Sequence, residues 1–182
     1  MKKIYIILAH TGTVLATTIK YFTKDEFSHV SIALDADLEE MYSFGRLNPY
    51  NPFHGGFIHE AIGKGTFKRF KNTRAMIFSI DVTKEQYNKI KNTINIISRE
   101  REKYKFNIIG LFAVSIHLRI KRTKCFYCAE FVKYLLDESK MDINLPEIIK
   151  PEDFRKMQNI TPIYIGKLNQ YKYKKSIIVN VK

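Results

Sequence analysis

Cysteine is scarce in this sequence: 182 residues hold two, Cys125 and Cys128, and both fall in one stretch, KCFYCAEFVKYLL (Lys124 to Leu136). A structural zinc site takes four ligands and a catalytic one takes three plus water, and two thiols without a second pair supply neither. The five histidines, at positions 10, 29, 54, 59 and 117, show no paired metal spacing. No metal and no other cofactor is expected. Long apolar runs are missing as well. The first, Ile4 to Ala9, is six residues and ends at His10, below the about 7–15 residues of a secretion-signal core. The longest later run, Ile108 to Ile116, falls well short of the ~20 residues that cross a bilayer. The expectation is a cytoplasmic chain with no transmembrane segment and both thiols reduced. Repeats, low-complexity stretches and linkers are absent too, which leaves a single domain over 1–182, long enough to bury a sizeable core.

Acidic side chains are also in short supply. Eighteen Asp and Glu against 31 Lys and Arg give a net charge of +13. That balance suits anionic surroundings such as nucleic acid, anionic lipid or acidic wall polymer, without choosing among them. The basic residues are scattered, with short clusters only at RIKRTK (Arg119 to Lys124) and YKYKK (Tyr171 to Lys175). Both read as solvated surface, and nucleic acid is not the expected partner.

What is present is an alternation of strand and helix patterns. Ile4 to Ala9 reads as a buried strand, and a helix is expected over Val14 to Phe22. SHVSIALD (Ser28 to Asp35) alternates, with Val30, Ile32 and Leu34 on one face and His29, Ser31 and Ala33 on the other. LEEMYSF (Leu38 to Phe44) follows an Asp-rich turn and predicts the second strand of a hairpin. NPYNPFHGG (Asn48 to Gly56), with two prolines and two glycines, reads as a loop. Ala75 to Val82 is a further strand. Thr83 and Gln86 have capping-box spacing, Val82 and Tyr87 can staple, and Tyr87, Ile90, Ile94 and Ile97 recur at helical intervals. Asn107 to His117 and the stretch from Cys128 to about Ser139 predict two more helices, and Ile163 to Gly166 and Ser176 to Val181 two more strands. Helices mixed with antiparallel strands predict an α+β fold.

The cysteines lie where the last helical pattern begins. A thioredoxin-like pair needs its helix to start at the first cysteine, whereas the apolar stripe here starts at the second. Cys128, Phe131, Val132, Leu135 and Leu136 share one face. That is what a small buried core cysteine looks like. The same geometry also allows a nucleophile, because a thiol in the first helical turn feels the positive end of the helix dipole. The free N–H groups of that turn can also hold an oxyanion. A nucleophilic thiol needs a base, and His29 is the best placed, on the small polar strand face with Ser31 and Ala33. Glu40 is the candidate to orient it, with Ser43 as rival and an edge carboxylate facing water as the plain alternative.

SHVSIAL, an EMY strand after it, and a much later YCAEFV together resemble the circularly permuted papain-like, NlpC-type cysteine hydrolases. In that group a strand histidine of the form HVGI comes first, a polar residue follows on the next strand, and CSE(L/F)V opens a helix near the end. Lecithin retinol acyltransferase-like enzymes share the histidine-first order. NIIGLFAV (Asn107 to Val114) resembles the helix that precedes the cysteine segment in such proteins, and Ala129 stands where Ser is frequent. The resemblance spans about Ser28 to Leu136. It implies a papain-like α+β fold in which an antiparallel sheet packs against the cysteine-bearing helix. It also implies Cys128 as nucleophile, His29 as base and Glu40 as the third polar residue, with no role for Cys125. The expected activity is hydrolysis of an amide or ester through an acyl-enzyme. Tyr127, beside the cysteine, together with Tyr50 and Ser43, are candidate substrate contacts. The substrate is a small molecule, a peptide or a lipid, and the +13 charge suits an anionic one. Two other classes of function fit the same residues: a cysteine acyltransferase acting on lipid or amine, and a non-catalytic basic module that docks to RNA or anionic membrane.

Overall fold

The computed structural model describes residues 1–11, 25–48, 51–114 and 116–173, without the side chains at 46, 48 and 51–53. The predicted helix at Val14 to Phe22, Tyr50, and the predicted strand at Ser176 to Val181 lie outside the described residues. In chain order come β1 (Lys2–His10), β2 (His29–Ala33), β3 (Met41–Asn48), β4 (Asn51–Glu60), α1 (Gly65–Arg69), β5 (Arg74–Val82) and α2 (Lys84–Arg99). Then follow β6 (Lys105–Phe106), α3 (Ile108–Val114), β7 (Cys125–Phe126), α4 (Cys128–Glu138) and β8 (Ile160–Lys167). The fold is α+β. Six strands form one sheet in the order β4-β3-β2-β1-β5-β8, every neighbour antiparallel, and β6 pairs with β7 in parallel as a separate two-stranded unit.

Alternation decides which residues face which core. Ile4, Ile6 and Leu8 of β1, Val30 and Ile32 of β2 and Phe44 of β3 turn to one face. There they meet Ile90, Ile94 and Ile97 of α2 and Phe131, Val132, Leu135 and Leu136 of α4. Phe131 is central to an aromatic cluster, with ring centres 5.0 Å from Phe44 and 5.8 Å from Phe57. The opposite face carries Tyr5, Ile7, Met41 and Ile77, covered by Phe67 of α1 and by Leu168 and Tyr171 after β8.

Local signals fix the helices. Gln86 N–H donates to Thr83 Oγ1 at 3.1 Å and Thr83 N–H to Gln86 Oε1 at 2.9 Å, the reciprocal capping box predicted for α2. At the far end of α4, Lys140 N–H reaches the Asp137 carbonyl and Met141 N–H reaches the Leu136 carbonyl. This is a Schellman closure whose left-handed position, with φ at 55°, is held by Lys140 where glycine is the usual occupant.

The predicted loop at Asn48 to Gly56 is instead mostly strand, because β4 begins at Asn51 and pairs with β3 as far as Met41–Glu60. Its proline fits because β4 is the edge of the sheet, where a missing N–H costs no ladder bond. Its glycine fits because a Cβ at Gly55 would stand 2.7 Å from the Gly45 carbonyl oxygen and 2.8 Å from the Phe106 ring. Among the described residues no helix is long and apolar enough to cross a membrane.

Candidate active site

Cys128 is the first residue of α4 and is buried, with the stripe Phe131, Val132, Leu135 and Leu136 behind it. As the first helical residue it has no intrahelical acceptor for its N–H. The turn that delivers it is tied down from several sides. Glu130 accepts the Tyr127 N–H at 3.3 Å, and the Asn107 side-chain amide donates to Glu130 Oε2 at 3.2 Å and to the Ile120 carbonyl at 2.9 Å. Asn107 is fully buried, and its Oδ1 also accepts the Gly110 N–H at 3.0 Å. Gly110 has to be glycine, since a Cβ there would lie 2.2 Å from the Asn107 amide nitrogen. Burial of Glu130 pushes its carboxyl above the usual range, against the hydrogen bonds from Asn107 and Tyr127.

His29 opens β2, opposite Ala9 of β1. Strand pleat puts His29, Ser31 and Ala33 on the face away from α4, yet the His29 ring lies close enough to Cys128 for the thiol to raise its pKa. His29 stands at the start of β2, beyond the direct β2–β3 pairs at Ile32–Tyr42 and Ala33–Met41. On the far side of the ring, His29 Nε2 donates to Glu60 Oε1 at 2.9 Å, and Ser31 Oγ lies 3.3 Å from the same nitrogen while donating to Glu60 Oε2. With Nε2 engaged, Nδ1 is the nitrogen available to the thiol.

Burial, the largest single influence on His29, favours its neutral form. The Glu60 carboxylate, by its charge and its hydrogen bond, and the neighbouring Cys128 together outweigh it and raise the ring from 6.5 to about 10. His29 therefore holds a proton at neutral pH, flanked by a thiol and a carboxylate. That arrangement can stabilise a thiolate on one side and hold the ring in a fixed orientation from the other.

The structure brings Cys128 and His29 together and does not bring Glu40 to them. The Asp35 carboxylate accepts the N–H groups of Glu39 at 3.0 Å and Glu40 at 2.6 Å, so the turn extends through Glu40 and the strand starts at Met41. The Glu40 side chain is part-exposed and pairs with Lys91 of α2 at 3.4 Å. The carboxylate at His29 is Glu60, opposite Met41 across the β3–β4 ladder. Ser43 is also displaced from the expected role. It is wholly buried, and its hydroxyl donates to the Val30 carbonyl at 2.8 Å. Tyr127 is a structural side chain as well, buried with its hydroxyl donating to the Ile149 carbonyl at 2.9 Å. Tyr50 lies outside the described residues. Cys125 sits on β7, where its pairing with Lys105 puts it before the helix and outside the first turn.

Glu60 and Ser31 are what sequence reasoning missed. Ser31 shares the strand face of His29, and the alternation marks it only as a neighbour. Glu60 was legible in GFIHE, where Phe57 and His59 alternate with Ile58 and Glu60, had the preceding prolines and glycines not suggested a loop. Beside Glu60 lies a cavity of about 120 Å³ between Leu47 and Ile58 on one side and Lys64 and Phe67 on the other. Among the described residues no group of three or more His, Cys, Asp or Glu side chains is arranged to hold a metal ion. Compared with protein-family models and with curated protein sequences, the chain matches none.

Proposed function

We propose that the chain is a cysteine hydrolase of the permuted papain-like kind, cleaving an amide or ester through Cys128, His29 and Glu60. The observation that carries this reading is His29, held beside a thiol at a helix N-terminus and a half-buried carboxylate. Cys128 attacks the carbonyl carbon as a thiolate, and the oxyanion that forms is met by the Cys128 N–H. Protonated His29 passes its proton to the departing nitrogen or oxygen as the C–N or C–O bond breaks, leaving a thioester. His29, now neutral, takes a proton from water as its oxygen attacks the thioester carbonyl, and the C–S bond breaks to release the carboxylic acid and restore the Cys128 thiolate beside protonated His29. Glu60 holds the ring and offsets its positive charge, and Ser31 fixes the carboxylate. The substrate is a small-molecule, peptide or lipid acyl compound.

The test is residue-resolved alkylation by iodoacetamide in the wild type, His29→Ala and Glu60→Gln. Cys128 is expected to react faster than Cys125 in the wild type and to lose that advantage in His29→Ala. Equal rates for the two cysteines, or a Cys128 rate indifferent to His29, would remove the dyad and the hydrolase reading with it.

A further inference from the structure

The stretch between α3 and β7 exposes apolar side chains that the hydrolase reading does not use. Ile109 is 53% exposed, Phe112 48%, Ile116 66% and Leu118 54%. Ile109, Phe112 and Ile116 are spaced three and four apart, so they fall on one side of the helix and its end, while Gly110, Ala113 and Val114 are buried on the other. This is ordered structure. The helix end is closed by Ile116 N–H and Leu118 N–H donating to the Ala113 carbonyl, at 3.1 and 2.9 Å, and His117 takes the left-handed turn with φ at 56°. A rigid apolar projection of this kind marks an interaction surface.

Charge indicates what covers it. Arg119, Lys121, Arg122 and Lys124 follow within six residues. Arg119 pairs with Glu147 and Lys124 with Glu100, whereas Lys121 and Arg122 make no ion pair among the described residues. A second copy of the chain would bring these cations against their equals, on a molecule already at +13. An anionic bilayer offers hydrocarbon to the apolar side chains and headgroup charge to the basic ones at the same depth.

We infer that Ile109, Phe112, Ile116 and Leu118 insert into the interface of an anionic membrane, with Lys121 and Arg122 on its headgroups. Asn107 joins this surface to the cysteine-bearing helix through Ile120 and Glu130, so docking places the Cys128 turn close to the membrane plane. The inference stands apart from catalysis: a Cys128→Ala chain docks like the wild type.

The test is co-sedimentation of the full chain with vesicles of phosphatidylcholine alone and of phosphatidylcholine mixed with phosphatidylglycerol, at about 0.1 M salt. Sedimentation with the mixed vesicles is expected. It weakens more than about tenfold in I109Q/F112Q/I116Q, from the lost apolar burial. In Lys121→Glu it weakens at least about fivefold. Ile163→Gln/Ile165→Gln, which removes exposed apolar groups from β8, and Cys128→Ala leave it unchanged. Because the altered side chains are exposed, circular dichroism matching the wild type is expected of the triple variant, and Ile109→Gln alone, with a smaller loss, serves as its check. No sedimentation with mixed vesicles overturns the inference. So does wild-type binding by the triple variant, or a wild-type dimer on gel filtration that the triple variant dissociates.

Discussion

The two faces of the six-stranded sheet are built from different materials. Under α2 and α4, aliphatic and aromatic side chains from β1, β2 and β3 interlock with two helical stripes. On the other face, Tyr5, Ile7, Met41 and Ile77 share the pleat with Ser31, Ser43 and Glu60, and the cover is a five-residue helix and a short turn. The first face can bury apolar area continuously and so supplies most of the stability. The second can keep a carboxylate and a protonated ring because each has a partner and water is near. Cys128 belongs to the first face and His29 to the second. They meet at the start of β2, so the proposed reactive pair sits at the junction of the two environments.

Breaking the apolar face should cost the most. Phe131→Ala, at a fully buried position in ring contact with Phe44, Phe57 and Phe126, is expected to lower unfolding free energy by about 3–5 kcal/mol in urea titration. Breaking the polar face should cost less and change chemistry more. Glu60→Gln is expected to lose about 1–3 kcal/mol at neutral pH. The same change should move the His29 midpoint, followed by NMR of its imidazole, from about 10 down toward 6.5. A midpoint that stays near 10 would show that Glu60 is not what holds the proton.

The pH dependence of stability sharpens the contrast. His29 binds its proton up to about 10 when folded and only to 6.5 when unfolded. Its contribution is fully present below about pH 6.5 and is lost as pH rises through about 10. The stability gap between wild type and His29→Gln should therefore narrow over that window, while the gap for Phe131→Ala should stay level. The smallest expected effect is a gain away from both environments: Lys140→Gly relieves a left-handed residue at the end of α4 and should raise stability by about 1 kcal/mol.

Much of this was legible in the sequence wherever periodicity and local chemistry agreed. The stripe from Cys128 to Leu136, the Thr83–Gln86 cap and the His29 strand face all appear in the structure as the pattern predicts. The carboxylate partner was not, for two reasons with one origin. The Asp35 side chain captures two backbone N–H groups and so delays β3, which takes Glu40 out of the strand. The proline of β4 suits an edge position and Gly55 a close approach by Phe106, both of which are tertiary facts. Local propensity could not report either, because each depends on what packs against the segment.

Asn107 carries a consequence for how the molecule breathes. Its side chain bonds the Gly110 amide, the Ile120 carbonyl and the Glu130 carboxylate, and its own N–H bonds the Phe126 carbonyl. Neither α3 nor the first turn of α4 can open without disturbing these shared bonds, so the two should exchange their amide hydrogens as one cooperative unit. The amides of Gly110 and Phe131 would then report a single opening event, and the cysteine's setting would be as durable as that event is rare.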